Sequence, residues 1–199
     1  MEYKFTSDWF SPKIPGWKRI QEGKKWSGNS KLTVIEIGSF EGRSSCWILN
    51  NLLANDESRL YCIDTFEGSL EHNTKQSDRL YDRFIHNIRC TGKENQVEVM
   101  VGRSDDQLIE LIAKGVNADL IYIDGSHMAK DVLTDAVLSW KLLKSSGVMI
   151  FDDYLWTMPN SDDINMSPKL AIDSFVNIFF HEIVFIHNMQ NIQFYILKK

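Results

Sequence analysis

Three carboxylates follow apolar stretches in the second half of the sequence. Asp124 comes directly after the stretch 120–123, and Asp152 and Asp153 follow the stretch 148–151. If these stretches are neighbouring parallel strands, the carboxylates converge where open α/β sheets bind their ligands, outside the carboxyl ends of the strands. Two like charges about 4 Å apart repel by about 4 kcal/mol at an effective dielectric constant of about 20. The cluster therefore needs protonation, hydrogen-bond partners or a divalent cation, unless one carboxylate caps a helix and the others are solvated.

A cation at this position would be a hard one. Carboxylate oxygens suit Mg²⁺, Ca²⁺ or Mn²⁺ rather than zinc, and a bound Mg²⁺ can orient a substrate hydroxyl and lower its pKa. His127 lies three residues after Asp124. An imidazole there can accept a proton from a hydroxyl near neutral pH, which makes His127 a candidate general base. A role in orienting the substrate, or a structural role, is the alternative.

A glycine-containing turn precedes the first helical pattern. Residues 36–44 read EIGSFEGRS and follow an apolar stretch. A turn of this kind lets a ligand approach the backbone, and the following helix offers unpaired N–H groups to an anion. Tight strand-to-helix turns also use glycine for steric reasons alone.

An acidic residue after the second apolar stretch strengthens the ligand interpretation. Asp64 lies about 26 residues after Gly38, at the spacing from which a carboxylate accepts hydrogen bonds from both hydroxyls of a ribose. The dinucleotide pattern GxGxxG is absent, since Ser39 and Phe40 stand near the position of its second glycine. Glu36 suits a ligand with an ammonium group better than a pyrophosphate. S-adenosylmethionine (SAM) has a ribose, an ammonium and a carboxylate, and no phosphate.

Seven apolar stretches alternate with helical patterns. Such alternation, with strands that are apolar throughout, is typical of a doubly wound parallel sheet. The predicted strands cover 32–37, 60–63, 97–101, 120–123, 148–151, 183–186 and 192–197. The predicted helices cover 44–53, 78–90, 105–113, 130–143 and 168–180. Only five residues separate the last two strands, too few for a crossover helix. We therefore expect a Rossmann-like α/β fold with seven strands, mostly parallel, and one antiparallel strand in a C-terminal hairpin.

Length and composition exclude several classes of protein. The chain has 199 residues, 43% of them hydrophobic, and a net charge of 22 − 27 = −5. It has no basic excess for nucleic acid, no run long enough to span a bilayer and no apolar signal core at its start. Its three cysteines show no CxxC spacing, which argues against a disulfide framework or a zinc site. We expect a cytoplasmic protein with neither a nucleic-acid nor a membrane partner.

The first 30 residues differ in character from the rest of the chain. Aromatic residues such as Trp9, Phe10, Trp17 and Trp26 are interspersed there with prolines and lysines. We divide the chain into an aromatic-rich helical segment at 1–30 and a catalytic domain at 31–199. The segment is either a helix packed across the edge of the sheet or a lid or wall of the substrate site with exposed aromatic residues. It could also pack on a second copy in a homodimer.

From residue 33 to the end, the chain resembles class I SAM-dependent methyltransferases. The turn at 36–44 matches the pattern ExGxxxGxS. The resemblance is to the metal-dependent O-methyltransferases of the catechol and caffeoyl-CoA type, and also to the macrocin-type sugar O-methyltransferases. It implies that Glu36 and Gly38 face the methionine end of SAM, Ser44 its carboxylate and Asp64 its ribose. Ser39, in the same turn, is a further candidate for cofactor binding.

The resemblance extends to the rest of the site. It implies that Ser104 and Asp105 lie near the adenine, and that Asp124, Asp152 and Asp153 are the metal ligands. Two residues depart from the family pattern, because Asp153 stands where Asn is frequent and His127 stands where the catechol type has Lys.

The sequence thus predicts a SAM-dependent O-methyltransferase, assisted by Mg²⁺ (or Mn²⁺ or Ca²⁺), that acts on a hydroxyl of a small molecule such as a sugar or a phenol. The loop 66–76 and the segment 154–169 would border the acceptor. Three alternatives are an NAD-dependent oxidoreductase, a SAM-binding module without catalysis, and a methyltransferase that uses His127 without a metal.

Overall fold

The computed structural model describes residues 1–68, 79–159, 161–186 and 193–199. Most of the predicted rim loop 66–76, residue 160 of the predicted rim segment, the first residue of the predicted helix 78–90, most of the connection between the last two strands, and the first residue of the predicted strand 192–197 lie outside these residues. The described chain forms two compact units, Met1–Gly102 and Arg103–Lys199.

The first unit is a three-stranded parallel sheet with helices between its strands. The main elements are α1 (Ile14–Gly23), β1 (Thr33–Ile37), α2 (Arg43–Asn51), β2 (Arg59–Asp64), α3 (Leu80–Cys90) and β3 (Val97–Val101). The strands are ordered β3-β2-β1, with Val34 opposite Leu60 and Leu60 opposite Val97. Val34 and Ile35 are fully buried, as expected where helices cover both faces of a parallel sheet.

The second unit contains the parallel strands β4 and β5 and the C-terminal hairpin. Its main elements are α4 (Ser104–Ala113), β4 (Ala118–Ile123), α5 (Ala129–Leu142), β5 (Leu143–Phe151), α6 (Pro168–Ile178), β6 (Ile183–Phe185) and β7 (Phe194–Lys198). The strands are ordered β4-β5-β7-β6. Among these described strands, only β7 is antiparallel to both of its neighbours.

The fold prediction is confirmed. The sheet has seven strands, and each corresponds to one predicted apolar stretch. The helix boundaries differ by a few residues from prediction. The helix predicted over 130–143 ends at Leu142, because the chain extends at Leu143 to begin β5, and the helix predicted over 168–180 ends at Ile178, before a short 3-10 turn at Phe180–Glu182.

The aromatic residues near the N-terminus divide between interior and surface. Trp17 is buried and packs edge-on against Phe10 and Trp47, with ring centroids 5.3 and 5.7 Å away. Trp9 is half exposed and packs on Phe40, at 5.3 Å. Across the described part of the chain, no helix combines the length and apolar character needed to cross a membrane.

Candidate active site

The glycine turn, residues 36–44, runs from the end of β1 to the start of α2 in the first unit. Gly38 and Gly42 have φ angles of 87° and 78°, in the left-handed region that favours glycine. A Cβ atom on Gly42 would lie 3.0 Å from the ring of Phe84. Phe40 also has a positive φ, of 48°, which costs free energy for a residue with a Cβ. The turn is therefore fixed in one conformation by its neighbours.

Asp64 supplies part of that fixation. Its Oδ2 accepts a hydrogen bond from the Phe40 N–H, at 2.7 Å, and its Oδ1 accepts one from the Phe66 N–H, also at 2.7 Å. Each carboxylate oxygen can accept a second hydrogen bond. Two backbone amides thus orient both carboxylate oxygens of Asp64, the residue predicted to bind the ribose.

Glu36, the fourth residue of β1, begins the turn and is fully buried. Its Oε2 accepts a hydrogen bond from the Ser45 hydroxyl. Burial raises the pKa of Glu36, and the nearby serine hydroxyls lower it again only in part. Its Oε1 and the Ser39 hydroxyl oxygen are buried and have no hydrogen-bond partner among the described residues. A ligand that brings donors and acceptors of its own, as the ammonium and carboxylate of SAM would, fits this turn.

The N-terminal residues are tied to the same turn, which the sequence did not reveal. The buried carboxylate of Glu41 accepts hydrogen bonds from the backbone N–H and the hydroxyl of Thr6, both at 2.7 Å, and pairs with Arg83 at 2.9 Å. Arg43 donates to the Ser7 carbonyl at 3.0 Å and pairs with Asp8 at 3.3 Å. These partners are 35 to 42 residues apart along the chain, so no local pattern indicates them.

Ser104 and Asp105 begin α4 in the second unit. The side chain of Arg103 lowers the pKa of Asp105, with which it pairs at 3.2 Å. Asp135, on α5, was not predicted as a functional residue. It is buried, and burial raises its pKa to about 7, against the opposing effect of the Ser104 hydroxyl. Its place among the buried residues of an amphipathic helix is the one sequence signal that could have indicated it.

The second unit brings the three predicted metal ligands together. One carboxylate oxygen from each of Asp124, Asp152 and Asp153 lies within 4.8 Å of the other two. The convergence follows from the pairing of β4 with β5, in which Ile123 lies opposite Phe151. Asp152 is buried, whereas the other two are partly exposed. We name these three residues the acidic cluster.

Neutral groups donate hydrogen bonds to the acidic cluster. The Tyr122 hydroxyl lies within hydrogen-bond distance of Asp124 Oδ2, at 2.7 Å, and of Asp152 Oδ2. Burial raises the pKa of Tyr122 well above its ordinary value, and the two aspartates raise it further, so the phenol keeps its proton. The Asp153 N–H donates to Asp152 Oδ1 at 2.8 Å. Three oxygen ligands at one edge of a sheet fit a hard divalent cation.

His127 contacts the acidic cluster through Asp153. Its Nε2 lies 2.9 Å from Asp153 Oδ2, and its ring stacks on Trp156, with centroids 4.1 Å apart and planes inclined by 27°. The structure therefore orients the imidazole by a carboxylate on one side and an aromatic face on another. Trp156 belongs to the predicted rim segment, so this part of the rim lies beside the candidate base.

Known proteins identify the family once this geometry is established. A family model described as a methyltransferase domain matches residues 35–154, more than half of the chain. The chain belongs to this methyltransferase family, which confirms the predicted class. An uncharacterised protein, R132, of Acanthamoeba polyphaga mimivirus is 27% identical over 128 residues, which cover 62% of this chain. The match covers 52% of that relative, so the chain spans about half the length of the curated relative it matches.

Solved structures share the fold at low sequence identity. The O-methyltransferase TomG of Streptomyces achromogenes, solved with SAM, has a TM-score of 0.64 and 18% identity, over 92% of this chain and 79% of its own. An O-methyltransferase of Bacillus cereus, solved with S-adenosylhomocysteine (SAH), has a TM-score of 0.60 and 17% identity, over 94% of this chain and 90% of its own. At sequence identities this low, the structural similarity establishes a shared fold and no more.

Proposed function

We propose that this protein is a SAM-dependent O-methyltransferase in which a divalent cation, bound by the acidic cluster, assists the reaction. The observation that carries the proposal is the convergence of Asp124, Asp152 and Asp153 within 4.8 Å, in a chain of the methyltransferase family. Repulsion among three carboxylates at this distance favours occupation by a cation.

The proposed cofactor residues lie in both units. In the first unit they are Glu36, Gly38, Ser39 and Ser44 around the methionine end, and Asp64 on the ribose. Support comes from the buried atoms of Glu36 and Ser39 that lack a partner among the described residues and from the amide-fixed carboxylate of Asp64. In the second unit, Ser104 and Asp105 would lie near the adenine. The fold neighbours TomG and the Bacillus cereus enzyme were solved with SAM and SAH, respectively.

The chemistry assigns distinct tasks to the remaining residues. Mg²⁺, when bound by the acidic cluster, would supply Lewis-acid polarisation of the acceptor hydroxyl. His127 would take the hydroxyl proton, with Asp153 and Trp156 holding its ring in place. SAM, held at the glycine turn, would supply the methyl group: the acceptor oxygen would bond to the methyl carbon as the carbon–sulfur bond broke, and SAH would leave with the bonding electron pair. Fixing both reactants in line accounts for a large part of such rate accelerations.

The acceptor we propose is a small molecule with a hydroxyl group, and Trp156 suits the flat face of a sugar or a phenol. TomG acts in tomaymycin synthesis, so one enzyme of this fold serves small-molecule metabolism. The three cysteines are free thiols, which fits a reducing compartment, and we propose the cytoplasm. A homodimer stays a prediction that light scattering would test.

Calorimetric titration with SAH, with NAD as the control ligand, tests the cofactor assignment. We expect micromolar binding of SAH and no binding of NAD. Binding of NAD alone would contradict the proposal and assign Asp64 to the ribose of a dinucleotide. If neither ligand binds, the chain is a member of the family without cofactor-dependent catalysis.

The contact between His127 and Asp153 supports a second candidate mechanism. An Asp–His pair can act as a general base without a metal, in which case Asp153 orients His127 instead of binding a cation. After an acceptor screen with labelled SAM, turnover in EDTA separates the two mechanisms. Loss of turnover in EDTA and its return with Mg²⁺ support the cation, whereas unchanged turnover supports the Asp–His pair alone.

A further inference from the structure

The reversed direction of β7 gives its first residues access to the acidic cluster. In the antiparallel pair of β5 and β7, Phe151 lies opposite Phe194 and Ile150 lies opposite Tyr195. One step further along this register places Gln193 beside Asp152. A parallel strand at this position would instead have its last residue at this edge of the sheet. The strand reversal thus brings side chains 41 residues distant in sequence to the carboxyl end of β5.

Two rows of side chains cross the sheet at this edge. Register pairs join Tyr122 to Ile150 and Ile150 to Tyr195. Two residues closer to this edge lie Asp124 and Asp152, which follow Tyr122 and Ile150 along their strands, and Gln193, which precedes Tyr195 because β7 runs in the opposite direction. Because side chains repeat on one face of a strand every two residues, each tyrosine lies beneath a polar residue of the second row. The tyrosine hydroxyls are therefore directed at the row that contains two of the three carboxylates.

Hydrogen bonds connect the rows. The Tyr195 hydroxyl donates to Gln193 Oε1, and Gln193 Nε2 donates to Asp152 Oδ2 at 2.9 Å. Gln193 is fully buried and Tyr195 nearly so. With its oxygen held by Tyr195, the Gln193 amide presents its nitrogen to Asp152. A buried amide in this position fixes one carboxylate oxygen by a donor that carries no charge of its own.

We propose that Gln193, oriented by Tyr195, is a positioning residue for the cation bound by the acidic cluster. This role of Gln193 rests on the proposed function only because it requires a cation at Asp124, Asp152 and Asp153. Gln193 holds Asp152 so that its carboxylate is available to the cation in one orientation. Groups that orient metal ligands in this way typically account for about 10-fold to 100-fold in metal affinity.

The test is titration of the purified full chain with Mn²⁺ alone, following free Mn²⁺ by electron paramagnetic resonance. We expect Gln193→Leu, which removes the donor at similar volume, to weaken Mn²⁺ binding about tenfold. Tyr195→Phe should weaken it less, and should add nothing in the Gln193→Leu background, because Tyr195 acts through Gln193.

Gln96→Leu is the matched control. Gln96 is also a buried glutamine, and its Nε2 donates to the Asn55 carbonyl at 2.7 Å, in the first unit. Its replacement should lower stability in a similar way and leave Mn²⁺ affinity unchanged. If Gln193→Leu does not fold, the Mn²⁺ affinity of Tyr195→Phe, which loses a single oxygen, tests the proposal instead.

The outcomes separate this inference from the proposed function. Wild-type affinity in folded Gln193→Leu would overturn the role of Gln193, and additive effects in the double variant would overturn its orientation by Tyr195. Both results would leave the cation site intact. Failure of the wild-type protein to bind Mn²⁺ would overturn the cation site and this inference together, while leaving SAH binding as a separate result.

Discussion

The glycine turn, together with Asp64 beside it, and the acidic cluster both present carboxylates at or just beyond the ends of strands. The hydrogen bonds that stabilise these carboxylates differ between the two regions. Asp64 receives a backbone amide on each oxygen, and Glu41 receives a backbone amide, a hydroxyl and an arginine. In the acidic cluster, three carboxylates lie within 4.8 Å of one another, and the hydrogen bonds reach them from a phenol, an amide, an imidazole and one backbone N–H.

The difference indicates which region is organised before its ligand arrives. Backbone amides already hold Asp64 in one orientation, so ligand binding needs no rearrangement of this carboxylate. The turn should therefore bind SAH without a metal. The acidic cluster retains its mutual repulsion, which a divalent cation relieves. We therefore expect the two regions to respond separately to substitution. A single Asp-to-Asn change distinguishes them, because it leaves shape nearly unchanged and removes one charge.

The largest expected effect is a change in the pH dependence of stability caused by Asp135. A bound proton neutralises this buried carboxyl. Its pKa is about 7 in the folded protein against an ordinary 3.8. Between these values the folded state holds a proton that the unfolded chain releases, so stability present below about pH 4 is lost as the pH rises through about 7. The full difference is at most about 4 kcal/mol. Asp135→Asn should therefore flatten the pH dependence of the free energy of unfolding and stabilise the protein at about pH 8.

Urea denaturation of the wild type and Asp135→Asn, from about pH 4 to about pH 8, measures this effect. Asp106→Asn, which changes an exposed aspartate on α4, serves as the control and should keep the wild-type slope. Parallel curves for the wild type and Asp135→Asn would show that burial does not retain a proton on Asp135.

The second largest expected effect is the loss of cation affinity in Asp124→Asn. Loss of a direct ligand should cost at least the upper end of the effect of an orienting group, on the order of 100-fold in Mn²⁺ affinity. SAH affinity should stay within a factor of about two if the two regions act separately. Asp119→Asn, a change of equal charge at the other end of β4, is the control for Mn²⁺ binding. An unchanged Mn²⁺ affinity in Asp124→Asn would remove Asp124 from the ligands.

Asp64→Asn is the reciprocal change in the first unit. It replaces the carboxylate that accepts hydrogen bonds from two backbone amides and that we propose as the acceptor for the ribose hydroxyls, at about 1.5–3 kcal/mol for a bond to a charged group. We expect SAH affinity to fall about 30-fold by calorimetry, with Mn²⁺ affinity unchanged. Asp56→Asn, at an exposed aspartate before β2, should bind SAH as the wild type does. If Asp64→Asn does the same, Asp64 does not contact the ribose.

The smallest effect is that of Gly42→Ala on stability. The left-handed backbone costs about 1–2 kcal/mol for alanine, and the new Cβ would lie 3.0 Å from the Phe84 ring. Gly92→Ala isolates the second contribution, because Gly92 has a φ angle of 67° and a Cβ there would meet no described atom within 4 Å. Urea denaturation should show a larger loss for Gly42→Ala. Equal losses would mean that Phe84 yields and that the turn is less constrained than its geometry indicates.

The sequence was most informative where a feature depends on neighbouring residues. The apolar runs predicted all seven strands, and they are most continuous where a strand is buried on both faces, as in β1 and β4. The pairing of adjacent strand ends also predicted the convergence of Asp124, Asp152 and Asp153. Contacts between distant segments carried no local pattern. Glu41 with Thr6 and Gln193 with Asp152 are examples, since the first joins segments 35 residues apart and the second depends on the register of an antiparallel strand.

Diffraction from crystals grown with SAH and MnCl₂, recorded at the manganese absorption edge, would show whether the acidic cluster binds a cation while SAH occupies the glycine turn. We expect one anomalous peak coordinated by oxygens of Asp124, Asp152 and Asp153, together with SAH density at the glycine turn and its ribose hydroxyls on Asp64. Bound SAH with no manganese peak at the acidic cluster would contradict the account and leave the pair of His127 and Asp153 as the catalytic centre.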